Sequence, residues 1–303
     1  MNLMENLKGI GTALVTPFGD DGRVDEAGLL RLVDFQLEAG IDMLVPCGTT
    51  GEGATLEPDE WDRVIGRVVE AAAGRVPVVA GAGSNSTAGA IRLTRRAGQL
   101  GADAVLSVGP YYNKPNQAGF YEHFRAIAEA SDIPVVLYNV PGRTGSNILA
   151  ETTLALAELP GIVGIKEASG SLDQVMAILR LRPEGFRVLS GVDEHTLAMI
   201  ALGADGVISV ASNEAPGMFG DMVRLAIGGN LARARELHYR LLPLMNANMA
   251  DTNPIPVKSV LAMMGLIGER YRLPLVGPSP ATRQRLAAVA EELGLLQHKE
   301  HRV

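Results

Sequence analysis

The sequence predicts a (β/α)8 TIM barrel with a C-terminal helical appendage, and three observations lead there. Short apolar runs rich in β-branched residues recur along the 303-residue chain. Longer segments with helical periodicity separate them. Eight such units follow one another at intervals of roughly 20–33 residues, the rhythm of a closed parallel barrel.

The runs begin with GIGTALV near residue 9, MLVP near 43, VPVVAGAG near 76 and AVLSV near 104. They continue with PVVLYNV near 134, IVGIKE near 162, RVLSG near 187 and GVISV near 206. Such near-continuous apolarity is expected of strands buried on both faces. Between them lie helical stretches such as DEAGLLRLVDFQLEAG and EPDEWDRVIGRVVEAAAG. Three further helices are expected at about 231–249, 256–268 and 281–293. The step Asn253-Pro254-Ile255-Pro256 breaks the first of these from the second. The chain therefore reads as a catalytic barrel over 1–229 and a C-terminal helical region over 230–303, whose polar tail HKEHRV is expected to fray. A doubly wound dinucleotide fold is disfavoured. Neither Gly9-Ile10-Gly11 nor Gly81-Ala82-Gly83 has the third glycine of that fingerprint in place.

Composition narrows the function classes. A hydrophobic share of 47% is enough for a large core. A net charge of −7 argues against a general nucleic-acid or anionic-membrane surface. No apolar run approaches the ~20 residues of a membrane span. The opening MNLMENLKGIGTALV lacks a cationic segment ahead of an apolar one, so no signal peptide is read. The single cysteine, Cys47, allows no intrachain disulfide, and a reducing, cytoplasmic setting is expected. The histidines at 123, 195, 238, 298 and 301 show no zinc-type spacing, so neither a metal nor a cofactor is expected.

Chemistry in a parallel barrel gathers where the strands end on their carboxyl side. Lys166 ends IVGIK, Tyr138 lies in VVLYNV, and Arg143 follows in the next loop. Thr49 and Thr50 follow MLVPC, and Tyr111 and Tyr112 follow AVLSVGP. Burial disfavours a charged ammonium, leaving more neutral amine to attack a carbonyl, as a Schiff-base lysine requires. The competing reading pairs Lys166 with Glu167. Tyr138 is either a proton carrier or a barrel aromatic with a satisfied hydroxyl. Thr49 and Thr50, between Gly48 and Gly51, either cradle a carboxylate or only make a tight turn. Arg143 either grips a carboxylate or is a solvated loop residue. Cys47, in an apolar strand, reads as an inert buried thiol.

The motifs GTTGE, PYYNKP, YNVPGRTG, GIKE and NPIPVK stand in this order. Through them the chain resembles the dihydrodipicolinate synthase family, within the N-acetylneuraminate lyase superfamily, over nearly its whole length. The resemblance implies that Lys166 forms a Schiff base with pyruvate. The enamine would then attack aspartate semialdehyde, giving 4-hydroxytetrahydrodipicolinate, the first committed intermediate of the diaminopimelate–lysine pathway. It implies a proton relay of Thr49, Tyr112 and Tyr138. Thr50 would hold the pyruvate carboxylate and Arg143 that of the aldehyde, with the backbone of Gly191 and Ile208 lining the pocket. It further implies a homotetramer, a dimer of dimers, in which Tyr112 enters the neighbouring subunit's site.

Two alternatives stay open. One is a superfamily lyase acting on N-acetylneuraminate or a 2-keto-3-deoxy sugar acid, for which a cation at Arg143 is unnecessary. The other is a non-catalytic barrel that binds a keto acid, which the complete polar set opposes. Many relatives bind lysine at a subunit interface, and Tyr111 and Asn85 match two residues of that site. Gly89 stands in place of its glutamate, Pro58 and Trp61 in place of histidines, and Gly53 in place of a serine. Weak or absent inhibition by lysine is therefore expected, with a shifted Glu57 or Glu60 as the way the missing acid would be restored.

Overall fold

The computed structural model describes residues 7–296. The first six residues and the tail HKEHRV, with His298 and His301, lie outside the described residues. Each apolar run becomes a strand: β1 Gly9–Ala13, β2 Met43–Val45, β3 Val79–Gly81, β4 Ala104–Val108, β5 Val135–Asn139, β6 Ile162–Glu167, β7 Arg187–Ser190 and β8 Gly206–Ser209. All pairings are parallel, in the order β2-β1-β8-β7-β6-β5-β4-β3. A bridge between Leu44 and Val78 closes the ring between β2 and β3. β8 and β1 approach closely. A Cβ on Gly206 (φ +155°) would fall 1.9 Å from the Gly9 carbonyl oxygen, so no side chain fits there.

Helices cover the outside: α1 Glu26–Glu38, α2 Pro58–Ala72, α3 Thr87–Gln99, α4 Gln117–Glu129, α5 Ala150–Ala157, α6 Leu172–Leu181, α7 Thr196–Ala201 and α8 Pro216–Ile227. Local chemistry starts them. Asp25, Ser86, Asn116 and Ser171 each accept a hydrogen bond from a backbone N–H of the first turn, and α2 opens with a Glu57/Glu60 capping box and Pro58. No helix among the described residues is long and apolar enough to cross a membrane.

Strand alternation divides the core in two. Residues facing the axis, among them Met43, Val136, Tyr138, Leu189 and Ile208, pack together inside the barrel. Residues facing outward, such as Ile10, Leu44, Leu137, Ile165 and Val207, pack against the helices. This alternation settles the orientation of the GIKE strand end. Lys166 is in register with Tyr138 on one side and Leu189 on the other, both interior, so it points inward. Glu167 is in register with Asn139 and Ser190 and points outward.

The C-terminal region holds α9 Leu231–Ala247, α10 Ile255–Met263 and α11 Pro280–Glu292. Ala247, Val260, Leu286 and Ala290 form their shared core. α10 stops five residues short of the expected 268, because the chain turns at Gly265 with φ +77°. Polar contacts then tie the region to the barrel mouth: Lys258 Nζ meets Glu52 Oε1 at 2.5 Å in a buried pair, and Asn253 Nδ2 donates to Thr50 Oγ1 at 2.9 Å in a half-buried one.

Candidate active site

A cavity of about 860 Å³ opens at the carboxyl ends of the strands. Thr49, Tyr138 and Arg143 contribute to its wall, as do Tyr111 and Asn253. Lys166 lies one layer deeper, 5% exposed, with Nζ 4.6 Å from the centroid of the Tyr138 ring. Among the described residues no hydrogen bond or ion pair engages that amine. The alternative pairing with Glu167 is not what forms. The Glu167 carboxylate accepts from Asn139 Nδ2 (3.0 Å), Gln174 Nε2 (2.9 Å) and the Ser169 N–H (2.6 Å), all outside the barrel. Gly191 presses on the stem of Lys166: a Cβ there would fall 3.0 Å from Lys166 Cε and 2.7 Å from the Ala168 Cβ. Only a glycine lets the β7 exit lie so close to the amine. Ile208 is buried in the barrel interior near the same level.

Thr50 is buried, at 2% exposure, between Thr49 and the amide of Asn253. Arg143 stands in the single helical turn Pro141–Thr144, exposed, with a guanidinium N–H 3.3 Å from the Asn253 carbonyl oxygen. No hydrogen bond joins Thr49 to Tyr138. Tyr112 is not on the wall of its own chain's cavity; it projects away at 89% exposure, with φ +71°. Of the eight expected residues, Thr49, Tyr138 and Arg143 line the cavity, Lys166 lies beneath Tyr138 with Gly191 against its stem, Thr50 and Ile208 are buried, and Tyr112 faces solvent.

Three features escaped the sequence. Asp193 is buried beyond β7, and its carboxylate accepts from the Val210 and Ala211 N–H groups at 3.1 and 2.8 Å, tying the exits of β7 and β8 together. Burial pushes its pKa up to about 6, against the opposing pull of the Ala211 N–H and the Lys166 charge. Behind it, burial holds Glu214 well above the usual carboxylate range, with Asn248 Nδ2 donating at 2.6 Å. The third feature is the Glu52–Lys258 pair, joining GTTGE to NPIPVK across 206 positions. Both motifs were visible, but nothing in their spacing shows that they meet. Cys47 is buried, and burial drives its thiol far above the ordinary range, in keeping with an inert side chain.

Residues 6–293 match the model of the dihydrodipicolinate synthetase family. The chain belongs to that family. The 4-hydroxy-tetrahydrodipicolinate synthase of Koribacter versatilis is 55% identical over 293 residues, covering 96% of this chain and 98% of that protein. Among solved structures, dihydrodipicolinate synthase from Aquifex aeolicus superposes with a TM-score of 0.94 at 43% identity, covering 96% and 99% of the two chains. The chloride-inhibited dihydrodipicolinate synthase of Acinetobacter baumannii, complexed with pyruvate, gives 0.94 at 43% identity, covering 95% and 99%. Membership of the dihydrodipicolinate synthetase family accounts for the barrel and for the appended helices together, since both lie within the matched length.

Proposed function

We propose that the chain is a lyase that condenses pyruvate with aspartate semialdehyde to 4-hydroxytetrahydrodipicolinate, in the diaminopimelate–lysine pathway. One observation carries the chemistry: Lys166 is buried beside Tyr138, and among the described residues no acid is paired to its amine. The Lys166 amine, once it has given up its proton, attacks the pyruvate ketone, and loss of water gives an imine. Loss of a methyl proton converts the imine to an enamine, whose carbon attacks the aldehyde. The substrate's own amine then displaces Lys166, closing the ring and freeing the lysine. These steps need protons given and taken, and the hydroxyls of Thr49, Tyr138 and Tyr112 can do both. Thr50 holds the pyruvate carboxylate, Arg143 the aldehyde's carboxylate, and the backbone of Gly191 and Ile208 lines the pocket. The barrel carries the reacting groups, and the C-terminal helices, Leu231–Ala247, Ile255–Met263 and Pro280–Glu292, brace the loops that hold them.

The reading includes a homotetramer, a dimer of dimers. The exposed stance of Tyr112 supports it, because a relay hydroxyl pointing out of its own chain is useful only to a neighbour. A coupled assay with pyruvate and aspartate semialdehyde tests the function. Turnover with this pair is expected; turnover with a sialic or sugar-derived keto acid instead would replace the reading.

A further inference from the structure

We infer that Asn253, in the loop between α9 and α10, is a positioning residue that sets the direction of the Thr50 hydroxyl and thereby tunes pyruvate capture. The inference rests on the reading of Thr50 as the holder of the pyruvate carboxylate. Asn253 Nδ2 donates to Thr50 Oγ1 at 2.9 Å. A hydroxyl has one hydrogen and two lone pairs. With a lone pair taken by Asn253, the hydrogen is left to donate, and among the described residues nothing accepts it. A carboxylate bound beside Thr50 is the acceptor that fits.

A further observation agrees. The Asn253 carbonyl accepts from Arg143 at 3.3 Å, and Asn253 itself lines the cavity. A residue from outside the barrel therefore touches the side chains assigned to both substrates, 203 and 110 positions away in the sequence.

The test uses pyruvate alone, reading the concentration that half-saturates borohydride-trapped adduct. Thr50→Val and Asn253→Ala should each raise it about two- to tenfold, the range of one hydrogen bond. Asn253→Asp should raise it further than Asn253→Ala. Its carboxylate must take the Thr50 hydrogen, turning the hydroxyl away from the substrate, and its charge repels pyruvate. In the Thr50→Val background, Asn253→Ala should add less than about twofold, because its partner is already gone. A purely structural amide predicts the reverse: the near-isosteric Asp would be milder than Ala, and the two losses would be additive. Either result overturns the assignment. A Thr50→Val enzyme that saturates like the parent would instead overturn the reading of Thr50, and the inference with it.

Discussion

Two lysines are buried at the mouth of this barrel, and they are used in opposite ways. Lys258 is 0% exposed, 2.5 Å from Glu52, and its amine lies 4.3 Å from the centroid of the Phe18 ring. Burial still pushes its pKa below the usual range, although Glu52 pulls the other way. Lys166 is 5% exposed and has an aromatic ring, and among the described residues no acid is bonded to its amine. The nearest acid in sequence, Glu167, is turned through the barrel wall and held by neutral donors. The difference teaches that burial alone does not make a lysine a nucleophile. Local pairing differs: a matched acid engages Lys258 in a buried structural pair, whereas strand alternation denies Lys166 its neighbour's carboxylate.

The largest effect expected from breaking this comparison is on stability. Lys258→Met leaves Glu52 buried without its cation and should cost about 3–5 kcal/mol. Adding Glu52→Leu should recover most of the loss. Chemical denaturation of both variants checks this, and a Lys258→Met enzyme as stable as the parent would remove the structural role.

A second effect concerns Asp193, the acid whose carboxyl feels the Lys166 charge without being bonded to the amine. Its folded pKa is raised from the ordinary 3.8 to about 6. The folded state therefore binds the proton more tightly, and its stabilising contribution is full below about pH 4 and lost as pH rises through about 6. Two units correspond to about 3 kcal/mol. The stability of Asp193→Asn relative to the parent should accordingly improve between pH 4 and pH 7. A difference that stays flat over that range would mean that Asp193 titrates near its ordinary value.

A third measurement separates the two substrates. Arg143→Ala should raise KM for aspartate semialdehyde about ten- to a hundredfold, the worth of a charge-assisted hydrogen bond. Pyruvate adduct formation at Lys166 should survive. Unchanged handling of the aldehyde would place its carboxylate elsewhere.

The smallest effect is expected at the outer end of the cavity, beyond both lysines. Gly53, Pro58, Trp61 and Gly89 line it, with no glutamate at position 89. Glu60, one acid able to stand in, is bound by Arg272 at 2.5 Å, which holds its carboxyl below the usual range. Asp62, also on the wall, is 2.7 Å from Arg96. Lysine should therefore inhibit weakly or not at all. A titration at sub-saturating pyruvate showing half-inhibition below about 1 mM would speak for a remodelled site.

Much of this was legible in the sequence, for identifiable reasons. All eight strands lie where the apolar runs lie, because a strand buried on both faces has to be apolar throughout. Thr49, Tyr138, Arg143 and Lys166 sit at or beyond strand ends, and a parallel barrel brings all strand ends to one rim. Contacts across long sequence distances were not legible. Asn253 meets Thr50, and Lys258 meets Glu52, only because the C-terminal helices fold back over the mouth. The outward stance of Tyr112 depends on a positive φ at a non-glycine residue, which no local pattern announces.

Trapping with borohydride in the presence of pyruvate, followed by peptide mapping, most directly distinguishes the two lysines. The reduced adduct should appear on Lys166 and not on Lys258. It should vanish in Lys166→Ala together with nearly all turnover. Lys166→Arg should not restore it, since a guanidinium stays protonated and is a poor nucleophile. An adduct mapped to Lys258 or any other lysine, or one that persists in Lys166→Ala, would contradict the assignment of Lys166 as the covalent residue.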